Sequence, residues 1–483
     1  MSVEIIGIIA LAIGFVSLFM PVAFILYSFA ASTLLQAAAA FNLDSIGGLS
    51  ISPAHLLLGF LIVRLFSEKE IRLQASDALA FGKPGFWLMT TVGLSILTAL
   101  FMPRIFEGQT FVFPLRGTYG GAELLQPATS NITQSIYFTA DATCFLAFAA
   151  FSGTRGGVRT LLSVGLFCAT LNLVFAALDV LTYFTNTSEV FDFIRNARYS
   201  QLADTEVAGF KRIVGSFVEA SSFGSATLGY FGLTLRLWLL GYKPRLTFSV
   251  CWLSFTAILF ATSTTAYVGL TVFLGFTYLE LLLRGISEPL TRPTRIFLVA
   301  APILLLIVVL VIALNDAYAE YVQNLLDTFF FNKLSTASGV ERSSWNRQSI
   351  QNVFDTYGFG VGNGSSRASS FPIAAVSSLG IVGVIPFILF FLSLFIGRGT
   401  IADPVDNAAR QAARAMTLAC LISGTVSAAL IELGLIFYAF AGLAGSEDTG
   451  SHLLKSRSVP QFREHDDPEV GVPALPRTAR RWL

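Results

Sequence analysis

The chain has 483 residues, 54% of them hydrophobic and only 13% charged, with a mean hydropathy of +0.69. Soluble domains carry about a quarter charged residues, so most of this surface is not built to face water, and a net charge of +1 leaves no electrostatic footprint for nucleic acid. The three His (His55, His452, His465) and four Cys (Cys144, Cys168, Cys251, Cys420) show no zinc or disulfide spacing. The Cys all lie in apolar runs and read as packing residues.

The first apolar run, near 5–20, is not preceded by a basic segment or followed by a small-residue cleavage site, so it is expected to stay as an anchor. Further apolar runs lie near 22–40, 53–66, 86–102, 132–152, 160–180, 216–235, 246–262, 265–283, 296–314, 372–396 and 416–443. The eighth and ninth meet at Thr262-Ser263-Thr264-Thr265 with almost no loop, and the last is long enough for one tilted helix or two short ones broken near Glu432. At about 20 apolar residues per crossing, the pattern predicts an all-α, polytopic transmembrane helix bundle of about 12 (11–14) spans. The membrane domain covers 1–445, and the polar, Pro-containing stretch 446–483 is expected to be a disordered cytoplasmic tail.

Basic residues in short loops mark the cytoplasmic side. Five loops carry them: 64–83 (Arg64, Lys69, Arg72, Lys83), 153–159 (Arg155, Arg159), 236–245 (Arg236, Lys243, Arg245), 284–295 (Arg284, Arg292, Arg295) and 397–414 (Arg398, Arg410, Arg414). Segments 103–131, 181–215 and 315–371 then fall on the opposite, external side as long loops. They hold Arg104, Arg116, Arg195, Arg198, Lys211, Arg212, Lys333, Arg342, Arg347 and Arg367. Such cations are either solvated or form an anion site, since Arg forks match phosphate oxygens in pairs.

Two stretches stand out. In Lys211-Arg212-Ile213-Val214-Gly215-Ser216-Phe217-Val218-Glu219, Arg212 and Glu219 are seven apart and would share one face of a continuous helix. Gly215 can break the helix start and let a ligand approach the backbone. A carboxylate at the membrane boundary is costly unless paired or facing a cavity; a structural Arg212–Glu219 ion pair is the plainer alternative. The second stretch is Glu341-Arg342-Ser343-Ser344-Trp345-Asn346-Arg347, followed by the glycine run 358–364. Trp345 between two Arg suits a sugar, whose C–H face stacks while its hydroxyls bond. The glycine run lacks the Lys-Ser/Thr of a nucleotide loop and reads as a phosphate-approaching loop or a flexible return to the next helix. No Asp-x-Asp pair and no external His suggests a metal site, and no cofactor is expected.

In these residues and their order, the chain resembles the O-antigen polymerase/ligase superfamily: the Wzy-type polysaccharide polymerases and the related O-antigen ligases. The resemblance covers roughly 205–385. It rests on Arg212, Gly215, Phe217 and Glu219 leading into a helix and on the corner Thr262–Ala266. It also rests on the long loop with Arg342 and Trp345, then Gly358–Gly362, then Leu379–Gly383. Members often carry Arg where this corner has Thr264. Ligases carry a His where this chain reads Ser369-Ser370-Phe371-Pro372, which speaks against the ligase.

The resemblance implies a multi-pass protein of the bacterial inner (cytoplasmic) membrane. It implies a metal-independent glycosyltransferase that joins polyprenyl-pyrophosphate-linked repeat units of an O-antigen, capsule or exopolysaccharide on the periplasmic side. Arg212 and Arg342 become the first candidates to stabilise the pyrophosphate charge, and Glu219 the base. Glu341, Arg347, Arg367, Lys211 and Trp345 are the substrate-binding candidates. The implied partners are the lipid-linked oligosaccharide and membrane lipid, with a chain-length regulator protein admitted. Transfer to lipid A-core by a ligase is the nearest rival. A transporter or flippase would rather show an internal repeat and mid-membrane charges, and a purely structural subunit gives no reason for Arg-rich loops.

Overall fold

The computed structural model describes residues 2–43, 49–115, 121–197, 206–207, 210–287, 289–316, 319–320, 323, 327, 337–396 and 403–446. The chain divides into Met1–Glu447 and Asp448–Leu483; the second unit, and with it almost all of the expected polar tail, lies outside the described residues. So do Arg116, Arg198, Lys333 and Arg398.

The fold is mostly helical. In chain order the helices are α1 (Ile5–Ser17), α2 (Val22–Ser32), α3 (Pro53–Phe66), α4 (Lys69–Ala78), α5 (Pro84–Ile105), α6 (Thr129–Ser152), α7 (Gly157–Phe184) and α8 (Ala220–Leu239). They continue with α9 (Pro244–Phe260), α10 (Thr264–Ser287), α11 (Arg292–Ala313), α12 (Ala337–Asp355), α13 (Phe371–Phe395), α14 (Pro404–Ser427) and α15 (Leu435–Gly445). Each apolar run of the sequence coincides with a helix, and the last is two, α14 and α15, with Glu432 in the break. Among the described residues, six helices are long and apolar enough to cross a membrane: α5, α6, α7, α10, α11 and α13. The protein is membrane-embedded.

Starts follow the local chemistry. The side chains of Ser52, Thr291 and Asp403 cap α3, α11 and α14, each followed by a Pro within the first two helical positions, where its missing N–H costs nothing. Two helices lie where loops are expected. The amphipathic α4 sits in the basic loop 64–83, and α12 fills the second half of 315–371, so Glu341 to Arg347 are helical. Short ladders add to the helices. β1 (Ser2–Val3), β2 (Phe41–Leu43) and β3 (Leu49–Ile51) form one antiparallel sheet, and β4 (Phe111–Val112) pairs with β5 (Glu123–Leu124).

The helices run between two ends. At one end the five basic loops gather. Arg159 pairs with Asp403 at 2.6 Å, Gln74 lies against Gly153, Arg284 donates to Gln411, and Thr294 Oγ1 donates to the Leu239 carbonyl at 3.0 Å. The described chain also finishes here, where Arg410 Nε donates to Ser446 Oγ. At the other end Ser216 reaches the Leu34 carbonyl, the Asn196 side chain binds Ala39, and Asn131 reaches Asn363. The β1–β3 sheet belongs to this second end. The core is a run of buried aliphatic and aromatic side chains, chiefly from α2, α3, α5, α6, α7, α8, α13, α14 and α15.

Candidate functional site

The segment 211–219 is not the continuous helix that would put Arg212 and Glu219 on one face. It is an extended strip with a turn at Gly215, whose φ of +59° lies in the left-handed region that favours glycine. The strip is held from below by Asp179 of α7, a carboxylate only 2% exposed. Its Oδ2 accepts from the amides of Val214 and Gly215 at 2.9 and 3.0 Å. Its Oδ1 receives Arg195 Nη2 at 2.7 Å and lies 3.6 Å from Lys211 Nζ. Arg195 also donates to the Gly215 carbonyl at 2.5 Å. A buried carboxylate is tolerated only when so fully paired. Lys211, whose side chain is 4% exposed, is thus engaged in anchoring.

Anchored this way, Arg212 reaches the corner between α9 and α10. Its Nε donates to Thr262 Oγ1 and its Nη2 to the Thr262 carbonyl, both at 3.2 Å. Thr262 itself has a φ of +45°, which turns its carbonyl toward the guanidinium side of the corner. Partial burial draws the Arg212 guanidinium below the usual arginine range, while Glu219 and Tyr267 favour its charged form. The direct Arg212–Glu219 ion pair is not formed; the two interact through space.

Glu219 is the N-cap residue of α8, and its Oε1 accepts from Ser221 Oγ. It opens on a cavity of about 220 Å³ lined by Ser222, Ser225, Ser423, Ser427 and a second carboxylate, Glu432. Ser423 Oγ donates to Ser225 Oγ at 2.6 Å, joining α14 to α8. Glu432 Oε1 is buried with no hydrogen-bond partner among the described residues. Asp141 of α6 and Tyr438 of α15, both buried, lie within electrostatic range of it. The cavity is smaller than the roughly 300–1,000 Å³ of a complete small-molecule pocket.

The second cluster stands on α12. The Arg367 guanidinium lies 5.0 Å from the Trp345 ring centroid, and its Nη2 donates to the Leu115 carbonyl at 2.5 Å. Burial draws Arg367 below the usual arginine range, while Glu341 favours its charged form. Asn346 Oδ1 accepts from the Ser369 amide at 2.7 Å. Arg342 is half-buried on the α12 face that carries Trp345 and Ser349, and Arg347 is exposed; neither is hydrogen-bonded to a described residue.

The glycine run is neither a flexible return nor an open phosphate cradle. It is threaded through the bundle. Val361 is fully buried and its amide donates to the Ser377 carbonyl at 2.8 Å. A Cβ on Gly360 would stand 2.7 Å from the backbone of Ser377 and Gly380, and Gly380 kinks α13 with a φ of +67°. Beyond the run, the Ala368 amide donates to the Ala429 carbonyl at 3.0 Å. That bond ties the segment just after Arg367 to the break that carries Glu432. The structure thus brings Glu219 to the cavity and Arg212 near it, groups Trp345 and Glu341 of α12 with Arg367 of the following loop, and leaves Arg342, on the same α12 face as Trp345, and Arg347 away from the Glu219 cavity lining.

These features define a membrane-embedded helical protein with a polar, carboxylate-lined cavity at one end of its bundle. No family model matches the chain, and neither a curated protein nor a solved structure matches it.

Proposed function

We propose that this is a polysaccharide polymerase of the bacterial inner membrane, crossing the bilayer about a dozen times, with the Glu219 end of the bundle in the periplasm. It joins repeat units carried on polyprenyl pyrophosphate. The observation that carries the reading is the meeting of Arg212, the Thr262 corner and Glu219 beside one cavity. Those are two of the elements on which the resemblance to Wzy-type polymerases rests. The clustering of all five basic loops at the opposite end supports the orientation.

The chemistry follows from the donor. Glu219, as carboxylate, takes the proton of the acceptor sugar's hydroxyl. The freed oxygen attacks the anomeric carbon, and the bond from that carbon to the pyrophosphate oxygen breaks. The electron pair leaves with polyprenyl pyrophosphate, whose growing charge Arg212 stabilises. Trp345 and Arg367 contact the sugars beyond the cavity, with Arg342 next to them on α12.

Purified protein incubated with lipid-linked repeat units tests this. The expected product is a ladder on the lipid carrier. Arg212→Ala and Glu219→Gln, each at wild-type yield, should lower its formation by about 100-fold or more. Full-length polymer from both variants defeats the assignment, product on lipid A-core would make the protein a ligase, and movement without bond formation would make it a transporter.

A further inference from the structure

A second cavity, of about 300 Å³, opens at the other end of the bundle between α8, α10 and α14. From Glu219 to Arg236 is 17 residues of helix, about 25 Å at 1.5 Å per residue, so the two cavities are separate. Arg236, Arg284 and Arg414 line it with a single carboxylate, Glu280: three positive charges against one negative.

Glu280 is already committed. Its two oxygens take Arg236 in a fork at 2.9 and 3.2 Å, and Oε1 also lies 2.8 Å from Arg284. Among the described residues Arg414 has no carboxylate partner. Its Nε donates to the Ala444 carbonyl at 3.4 Å, and its charged neighbours within electrostatic range are Arg410 and Arg284. Three arginines lining one cavity at the edge of an apolar bundle, against one described carboxylate, favour a bound counter-anion. The remaining wall is apolar and aromatic, with Phe273, Phe276 and Phe395.

We propose that this cavity binds the phosphate headgroup of an anionic phospholipid. Arg284 and Arg414 clamp the phosphate, which Arg forks match in geometry, and an acyl chain lies along the three Phe rings. The cavity holds about ten water volumes at ~30 Å³ each, enough for a phosphate and part of the glycerol. A free phosphate shares the first contact and lacks the second, so the aromatic wall favours the lipid. The end with the basic loops is also the one expected to face the anionic cytoplasmic leaflet. The site is independent of the polymerase reading.

Native mass spectrometry of the full chain, purified in detergent and titrated with lipid, tests it. Phosphatidylglycerol should be retained about tenfold over phosphatidylcholine, and Arg284→Gln with Arg414→Gln should remove that preference, as loss of charge-assisted bonds implies. Arg292→Gln with Arg295→Gln, on the neighbouring surface of α11, should keep it. A shared melting transition for the variants and the wild type shows that the fold survives. Equal retention of both lipids, an unchanged preference in the first pair, or an equal loss in the second overturns the proposal. Full displacement of the lipid by millimolar inorganic phosphate overturns the lipid assignment and assigns the cavity to a soluble anion.

Discussion

Helices α8 and α11 touch one another and are nearly equal in length, at 20 and 22 residues. They are opposites in every other respect. In α8, 15 of the 20 residues are buried; in α11 only Thr294 is. Yet α11 has the highest hydropathy of the six candidate spans, and α8 is not among the six. The difference is one of solvent. A helix facing lipid is selected for apolar surface alone, and residues 303–311 of α11 are all large aliphatics. A helix inside the bundle gains from close approach instead, which small residues and satisfied hydroxyls allow. In α8, Gly229 and Gly232 lie against Cys420 and Ala415 of α14, and Thr227 Oγ1 accepts from Asn172 of α7 at 3.0 Å. Hydropathy therefore finds the rim of such a protein better than its centre.

Substitutions can sharpen this contrast. The largest effect is expected from Gly232→Leu. A Cβ there would meet the Ala415 carbonyl at 2.9 Å and the Phe273 ring at 3.1 Å, so α8 must part from α14. Overpacking of this kind costs about 3 kcal/mol or more, and the yield of monodisperse protein should collapse; a normal yield would mean the α8–α14 seam is loose. Next comes Asp179→Ala beneath the Arg212 strip. It strands Arg195 and Lys211 and frees two amides, and loss of one partner from a buried pair costs about 3–5 kcal/mol. A thermal melt should show the drop, with Asp179→Asn intermediate. The smallest effect is Leu306→Ala on α11, expected below about 1 kcal/mol. A fall in melting temperature matching that of Asp179→Ala would show that α11 is packed against protein rather than lipid.

Much of the fold was legible because each apolar run had to be a helix: backbone groups in lipid have no other partner. The five basic loops also announced their common end. The helices α4 and α12 were not legible, since an amphipathic segment of ordinary polarity inside a loop carries no membrane signal. Of the candidate site, Arg212, Glu219 and the 262–265 corner stood out as motifs, and folding brought them together. Asp179 and Glu432 did not stand out as partners. Each is a lone carboxylate in an apolar run, and that anomaly was the available signal, but the Val214 amide that binds Asp179 is 35 positions away, and the cavity that Glu432 shares with Glu219 forms only when distant helices meet. The glycines at 358–364 misled for a related reason. Sequence shows that a backbone will be approached closely and does not show whether by a ligand or by its own helices.

The bond between Ala368 and Ala429 has an evolutionary consequence. It involves backbone atoms only, so it survives any exchange of side chains around it. The frame formed by the threaded loop and the helix break is therefore insulated from mutations at Ser423, Ser427 or Leu433, which face the cavity it borders. The side chains that coat this hollow can therefore change while its backbone outline stays put.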